Sequence, residues 1–180
     1  SYTKKNISRR RIYEVTGFNK STDLSNQNLL EAGSGAGRFT EILAETKVNL
    51  FTFDFSNAID ANKLNNSSFE NITFFQADIL DIPFEDNYFD YVFCLGVIQH
   101  TQYPEETFNS LVRKLKPGGT ITLEFPHLMR LIEQSQFDTI YHEHFSYLSL
   151  YTVSRIFAAA ELRVLHVEKL STHGGSLRIY

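Results

Sequence analysis

Cysteine is almost missing from this chain. Cys94 is the only one, so no internal disulfide can form and no zinc site built on cysteine is available. A reducing cytoplasm is the expected compartment. Long apolar runs are missing as well: no stretch approaches the roughly 18 residues of a membrane span, and no signal-peptide pattern opens the chain. Excess positive charge is also absent. The formal net charge is -4 and the pI about 5.8, which argues against a general binder of nucleic acid or of a membrane surface. The one basic cluster, Lys4, Lys5, Arg9, Arg10 and Arg11, reads as the solvated face of an amphipathic helix over Lys4 to Val15, lying across the turn described next. Internal repeats are lacking. A chain of 180 residues is of a size for one domain with its own core. It begins at Ser1 rather than Met, so it is expected to be part of a longer protein, with residues 1–27 forming an N-terminal helix and loop.

What is present is concentrated in Leu29 to Thr40, LLEAGSGAGRFT, an apolar strand that ends in a carboxylate and three alternating glycines before a helix. Gly33, Gly35 and Gly37 leave no side chain between the turn and a ligand lying across it. A dinucleotide fingerprint needs a third glycine at position 38, where this chain has Arg38, and that departure disfavours NAD. A plain tight turn is the alternative reading. The next strand, Val48 to Phe53, ends at Asp54, which follows Gly37 by 17 positions. A strand-end carboxylate at about that spacing meets ribose hydroxyls in such units. Its competing reading is the N-cap of the helix that Ser56 and Asn57 introduce.

The remaining pattern alternates strand and helix. Arg38 to Thr46 has Phe39, Ile42 and Leu43 on one side. Strands are expected over Ile72–Gln76, Tyr91–Leu95 and Thr120–Phe125, and Val97 to His100 form a short loop before Pro104 opens a helix. Pro117, Gly118 and Gly119 stop that helix. A helix over Ser149–Ala160 precedes strand six, Arg163–Val167, and strand seven, Ser176–Tyr180, which form a hairpin. The expected fold is α/β and Rossmann-like: a seven-stranded, mostly parallel sheet with helices on both faces and an antiparallel last strand. Glu31, Asp54, Asp78, Gly96 and Phe125 all fall at its C-terminal edge, where ligands gather.

The motifs EAGSGAG, FTFDFS around Asp54, QADIL around Asp78, YFDYVFCLGVIQHT and LKPGG occur in this order, and together they resemble the class I S-adenosylmethionine (SAM) methyltransferases. That resemblance implies SAM as cofactor, held by Glu31, Gly33, Gly35, Gly37, Asp54, Phe55, Asp78, Ile79, Leu95 and Gly96. Asp78 would accept from the adenine amino group and Ile79 would pack on the ring. FDTIYHEHFSYL at Phe137 to Leu148 and THGGSLR at Thr172 to Arg178 resemble the C-methyltransferases of nucleotide-linked keto sugars. The matching positions imply catalytic roles for Tyr141, Glu143 and His144. His144 would act as the base beside a ketone, Tyr141 would relay a proton or bind the enolate oxygen, and Glu143 would orient the imidazole. His100 matches a histidine near the substrate and is the second candidate base. The sugar enzymes usually carry a Cys-rich zinc module before this region and a further domain after it. The chain is therefore expected to be the catalytic piece of a longer protein, or a compact relative.

The expected partner is a small molecule, a nucleotide-linked keto sugar, with no nucleic acid and no membrane. The alternatives are O- or N-methylation of another small molecule, and a SAM-binding module without catalysis. A metal site at His142, Glu143 and His144 is disfavoured because no further ligands stand at suitable spacing, so no metal is expected. The aromatic residues Phe137, Tyr141, Phe145, Tyr147 and Tyr151 read as more than core packing, His166 reads as core, and Cys94 as a small buried filler.

Overall fold

The computed structural model describes residues 9, 10, 12, 13, 16, 18, 21–171 and 174–180. Arg9, Arg10, Ile12, Tyr13 and Thr16 are helical. Lys4, Lys5, Arg11 and Val15 of the expected N-terminal helix, and Thr172 and His173 of the hairpin turn, lie outside the described residues. Ile12 belongs to the apolar cluster around Leu29, Ile42 and Leu43, and Arg9 pairs with Glu45.

Seven strands form one sheet in the order β3-β2-β1-β4-β5-β7-β6. They are β1 (Asn28–Ala32), β2 (Asn49–Asp54), β3 (Ile72–Gln76), β4 (Phe89–Leu95), β5 (Leu115–Pro126), β6 (Val167–Leu170) and β7 (Ser176–Ile179). The pairs among β1 to β5 are parallel, and β7 runs antiparallel to both β5 and β6. Side chains alternate across a strand, so β1 and β4 feed two cores. Leu30, Ala32, Val92 and Cys94 face one, with α3 (Pro104–Lys114) and α5 (Leu150–Ala159) packed over it. Leu29 and Phe93 face the other, with α1 (Thr40–Ala44). A sheet covered on both faces explains why these strands read as continuous apolar runs.

Several boundaries differ from expectation by a residue or two, among them β2 at Asn49–Asp54 and β4 from Phe89, and three departures are larger or of another kind. β5 starts at Leu115, ahead of the expected Thr120, because the chain through Lys116–Gly119 stays alongside β4 across a register shift between Phe89 and Tyr91. A Cβ on Gly119 would sit 2.8 Å from the Asp90 carbonyl oxygen, so the close approach there requires glycine. β6 is Val167–Leu170 rather than Arg163–Val167: its partners are set by β7, with Val167 opposite Ile179 and Leu170 opposite Ser176. His166 is consequently not core. Its side chain is largely exposed and its ring stacks on Tyr180. Val97 to His100 is not plain loop either, since Ile98–His100 forms a turn of 3₁₀ helix.

Candidate active site

The glycine turn leaves β1 and is fastened from below by β2. The peptide N–H groups of Gly33 and Ser34 donate to the Phe53 carbonyl at 2.9 and 3.0 Å, and Gly35 N–H donates to Asp54 Oδ2 at 2.8 Å. Asp54 Oδ1 accepts from Ser56 N–H and Oγ. The helix that follows, α2 (Ala58–Asn65), has Asn57 at its N-cap, so Asp54 braces the turn and does not cap the helix. A carboxylate has about four lone-pair sites, and Asp54 keeps capacity for a ligand. Gly35 has φ +54°, and a Cβ built there meets nothing within 4 Å because it would stand in the cavity.

That cavity is about 740 Å³. Gly33 and Gly35 border it at the turn, Asp54, Phe55, Asp78, Ile79 and Leu80 at the ends of β2 and β3, and Gly96, Val97, His100, Tyr103 and Phe145 opposite. Among the described residues its wall carries two carboxylates and no Lys or Arg. Such a lining suits an adenosyl group, with hydroxyls for the carboxylates and a flat base for Phe55 and Ile79. A pyrophosphate would find no cation on this wall, and Arg38 borders the adjoining small cavity. A smaller cavity of about 220 Å³ shares Gly33, Gly35 and Gly96 and adds Glu31, Leu95, Gln99, Glu124 and Ser176, in line with an amino-acid end. SAM therefore fits the residues present.

Glu31 borders the smaller cavity, yet its carboxylate is turned to Thr40 and Thr52, whose hydroxyls donate to Oε2 at 2.6 and 2.8 Å. Burial outweighs those two bonds and pushes the group up to about 7. Gly37 borders neither cavity; its Cβ position is filled by Asn62, 2.1 Å away. Cys94 is buried and its thiol is pushed up to about 12 by that burial, so it is chemically inert.

The segment Tyr141 to His144 is a turn closed by His144 N–H to the Tyr141 carbonyl at 3.0 Å. It brings Tyr141 Oη to 2.9 Å from His144 Nε2, with ring centroids 4.2 Å apart. The turn is docked on the 3₁₀ helix after β4. Phe145 N–H donates to the Gln99 carbonyl at 2.8 Å, and His100 Nδ1 lies 2.8 Å from the Glu143 carbonyl. A carbonyl only accepts, so Nδ1 of His100 carries a proton and donates in this contact. The rings of His100 and His144 are 4.8 Å apart. They stand between the large cavity, which His100 borders, and a third of about 330 Å³ bordered by Tyr141, His144, Gln136, Asp138 and Gly174. The Glu143 carboxylate does not reach His144. It lies 3.4 Å from His142 Nε2, so what Glu143 contributes to this cluster is its backbone carbonyl, to His100. No group of three metal-ligating side chains occurs among the described residues, and none of their helices is long and apolar enough to cross a membrane.

Sequence reasoning missed the polar framework around these groups. Arg178 is buried, its Nε and Nη2 donate to Glu124 Oε2 at 3.1 and 2.6 Å, and its Nη1 lies 3.3 Å from Glu168. The register explains the ladder, since Glu124, Arg178 and Glu168 stand abreast on β5, β7 and β6. Arg178 was visible in THGGSLR, but its acidic partners are 54 and 10 residues away.

Residues 30–123 match the family described as methyltransferase domain. The chain is 41% identical over 75 residues to C-methyltransferase NovU of Streptomyces niveus, which covers 42% of this chain and 18% of that protein. It is 33% identical over 101 residues to phosphoethanolamine N-methyltransferase 2 of Caenorhabditis elegans, covering 54% and 23%. The chain thus spans less than a quarter of either relative. Among solved structures, magnesium protoporphyrin IX methyltransferase from Synechocystis PCC 6803, with bound SAH, superposes with a TM-score of 0.72 at 15% identity, over 99% of this chain and 80% of that one. With more than half its length matched and a large cavity at the expected sheet edge, the chain belongs to the methyltransferase domain family.

Proposed function

We propose that the chain transfers a methyl group to a carbon beside the ketone of a nucleotide-linked sugar. The observation that carries this reading is the Tyr141–His144 pair, set next to His100 between the cofactor cavity and the third cavity. The likeness to a C-methyltransferase supports it. Carbon methylation needs a base, because a carbon beside a ketone becomes nucleophilic only when its proton is taken.

The bound cofactor supplies a methyl group on a positively charged sulfur. The chain's own groups do the rest. Tyr141 Oη receives the acceptor's α-proton while its own proton passes to His144 Nε2, leaving an enolate whose oxygen faces these donors. His100, held by the Glu143 carbonyl, fixes the edge of the cluster toward the cofactor and is the second candidate base. Asp138 and Gln136, on the wall of the third cavity, suit the hydroxyls of a sugar. Holding the two reactants in line accounts for much of the remaining acceleration.

Screening nucleotide-linked keto sugars by mass spectrometry for a methyl gain tests the acceptor. Exchange of the acceptor's α-proton into deuterated solvent tests the base, and it should occur without SAM. A methyl gain on an oxygen or nitrogen, with no exchange, would support the second reading, O- or N-methylation, which the similarity to a phosphoethanolamine N-methyltransferase favours.

A further inference from the structure

Helix α2 carries Asn62 and Asn65, with Asn66 as its C-cap, in a stretch where the helix interior has better formers to choose from. Spacings of three and four put them on one face. That face lies against the glycine turn. Asn62 Nδ2 donates to Ser34 Oγ at 2.9 Å, between the two glycines that border the cofactor cavity, and to Thr40 Oγ1 at 2.9 Å. Asn65 Nδ2 donates to the Ala36 carbonyl at 3.0 Å. Asn66 Nδ2 donates to Asn62 Oδ1 at 2.8 Å, which fixes which way the Asn62 amide points. A Cβ on Gly37 would meet Asn62 Oδ1 at 2.1 Å and Asn66 Nδ2 at 2.5 Å, so turn and asparagines fit only as a set.

We infer that Asn62, Asn65 and Asn66 are positioning residues for the cofactor: they hold the turn at Ser34, Ala36 and Gly37 in its ligand-ready shape without bordering the large cavity themselves. The direction of the bonds supports this. Donors run from Asn66 to Asn62, from Asn62 to Thr40, and from Thr40 and Thr52 to the Glu31 carboxylate, so a buried acceptor terminates a chain that begins on the helix. Buried polar networks of this kind, with each member satisfied, specify one geometry. A helix that only covered the sheet would use apolar side chains at these positions. Asn62 and Asn66 are buried where Leu or Ala would cost less.

The test is calorimetric titration of the whole chain with S-adenosylhomocysteine, well below each variant's unfolding midpoint. Asn62→Ala should weaken binding about tenfold, the loss expected for a buried hydrogen bond that shapes the site. Ser34→Ala combined with Asn62→Ala should be no worse than Asn62→Ala alone, because both remove the same bond. Asn65 is exposed, so Asn65→Ala keeps the fold whatever Asn62→Ala does; it should bind about threefold more weakly, with its midpoint within about 2 °C of the parent. If Asn62→Ala lowers only the midpoint and Asn65→Ala binds like the parent, the asparagines are packing residues and the inference is wrong. None of these outcomes depends on the identity of the methyl acceptor.

Discussion

The two halves of the site are built by opposite means. The cofactor half is assembled from strand ends and a turn whose peptide groups and side chains are tied to β2, α1 and α2. The proposed acceptor half is the connection between β5 and α5, made of α4 (Leu128–Glu133), a 3₁₀ turn at Phe137–Thr139 and the His-Tyr turn. Neither helical piece buries a residue, and Phe137 and Phe145 are 76% and 61% exposed. A site held by a network loses affinity gradually as bonds are removed. A site held by one docked turn loses its chemistry with a single side chain.

The sharpest way to break this contrast is His144→Ala. Turnover should fall roughly 100- to 10,000-fold, the range for a positioned base, while SAM affinity stays near the parental value. Measuring α-proton exchange and methyl transfer in the same variant decides the matter. Exchange at the parental rate would pass the role of base to His100. Next in size is Arg178→Met, which leaves the Glu124 carboxylate buried without its cation. Losing one partner of a buried pair costs about 3 to 5 kcal/mol. The unfolding midpoint should drop by roughly 2 to 4 °C per kcal/mol, and a drop of only a degree or two would show that the ladder is incidental. Asp54→Ala should weaken SAM binding by about 1.5 to 3 kcal/mol. It should also lower stability, because the Gly35 and Ser56 bonds go with it; an intact midpoint would mean that the brace is idle.

The last prediction concerns Glu31, whose effect is read only as a dependence on pH. Its folded state keeps a proton that the unfolded chain releases near pH 4.5 and holds it until about 7. The stabilisation tied to that proton is complete below about 4.5 and fades as pH rises to 7. Denaturant unfolding at pH 5 and pH 8 should therefore show a loss in the parent that is reduced in Glu31→Gln. Equal losses would place the slope elsewhere.

Much of the cofactor half was legible in the sequence, and for a physical reason. A turn that needs positive φ beside a ligand shows itself as glycine, and a strand covered on both faces shows itself as an apolar run. Ile72–Gln76 was recovered to the residue. What escaped was whatever depends on a distant partner. β6 was displaced because the β-branched and apolar residues of Arg163 to Val167 suit a strand, whereas pairing with β7 fixes where the ladder runs. The YHEH turn was recognised, but the carboxylate of Glu143 was given a task that its backbone carbonyl performs toward His100. The asparagines of α2 left only a faint trace, two poor helix formers and an asparagine C-cap.

The strand order carries a consequence for synthesis. β7 follows β6 in the chain yet lies between β5 and β6 in the sheet. As the polypeptide emerges in order, β6 has no edge to join until residues 176–179 arrive and slot in first, and until then β5 stays open along the side that β7 covers. The same strand brings Arg178 to Glu124 and Ser176 to the small cavity. Residues 176–179 thus complete the edge of β5 and the wall of the small cavity together, so sheet closure and this part of the candidate site depend on the same four residues.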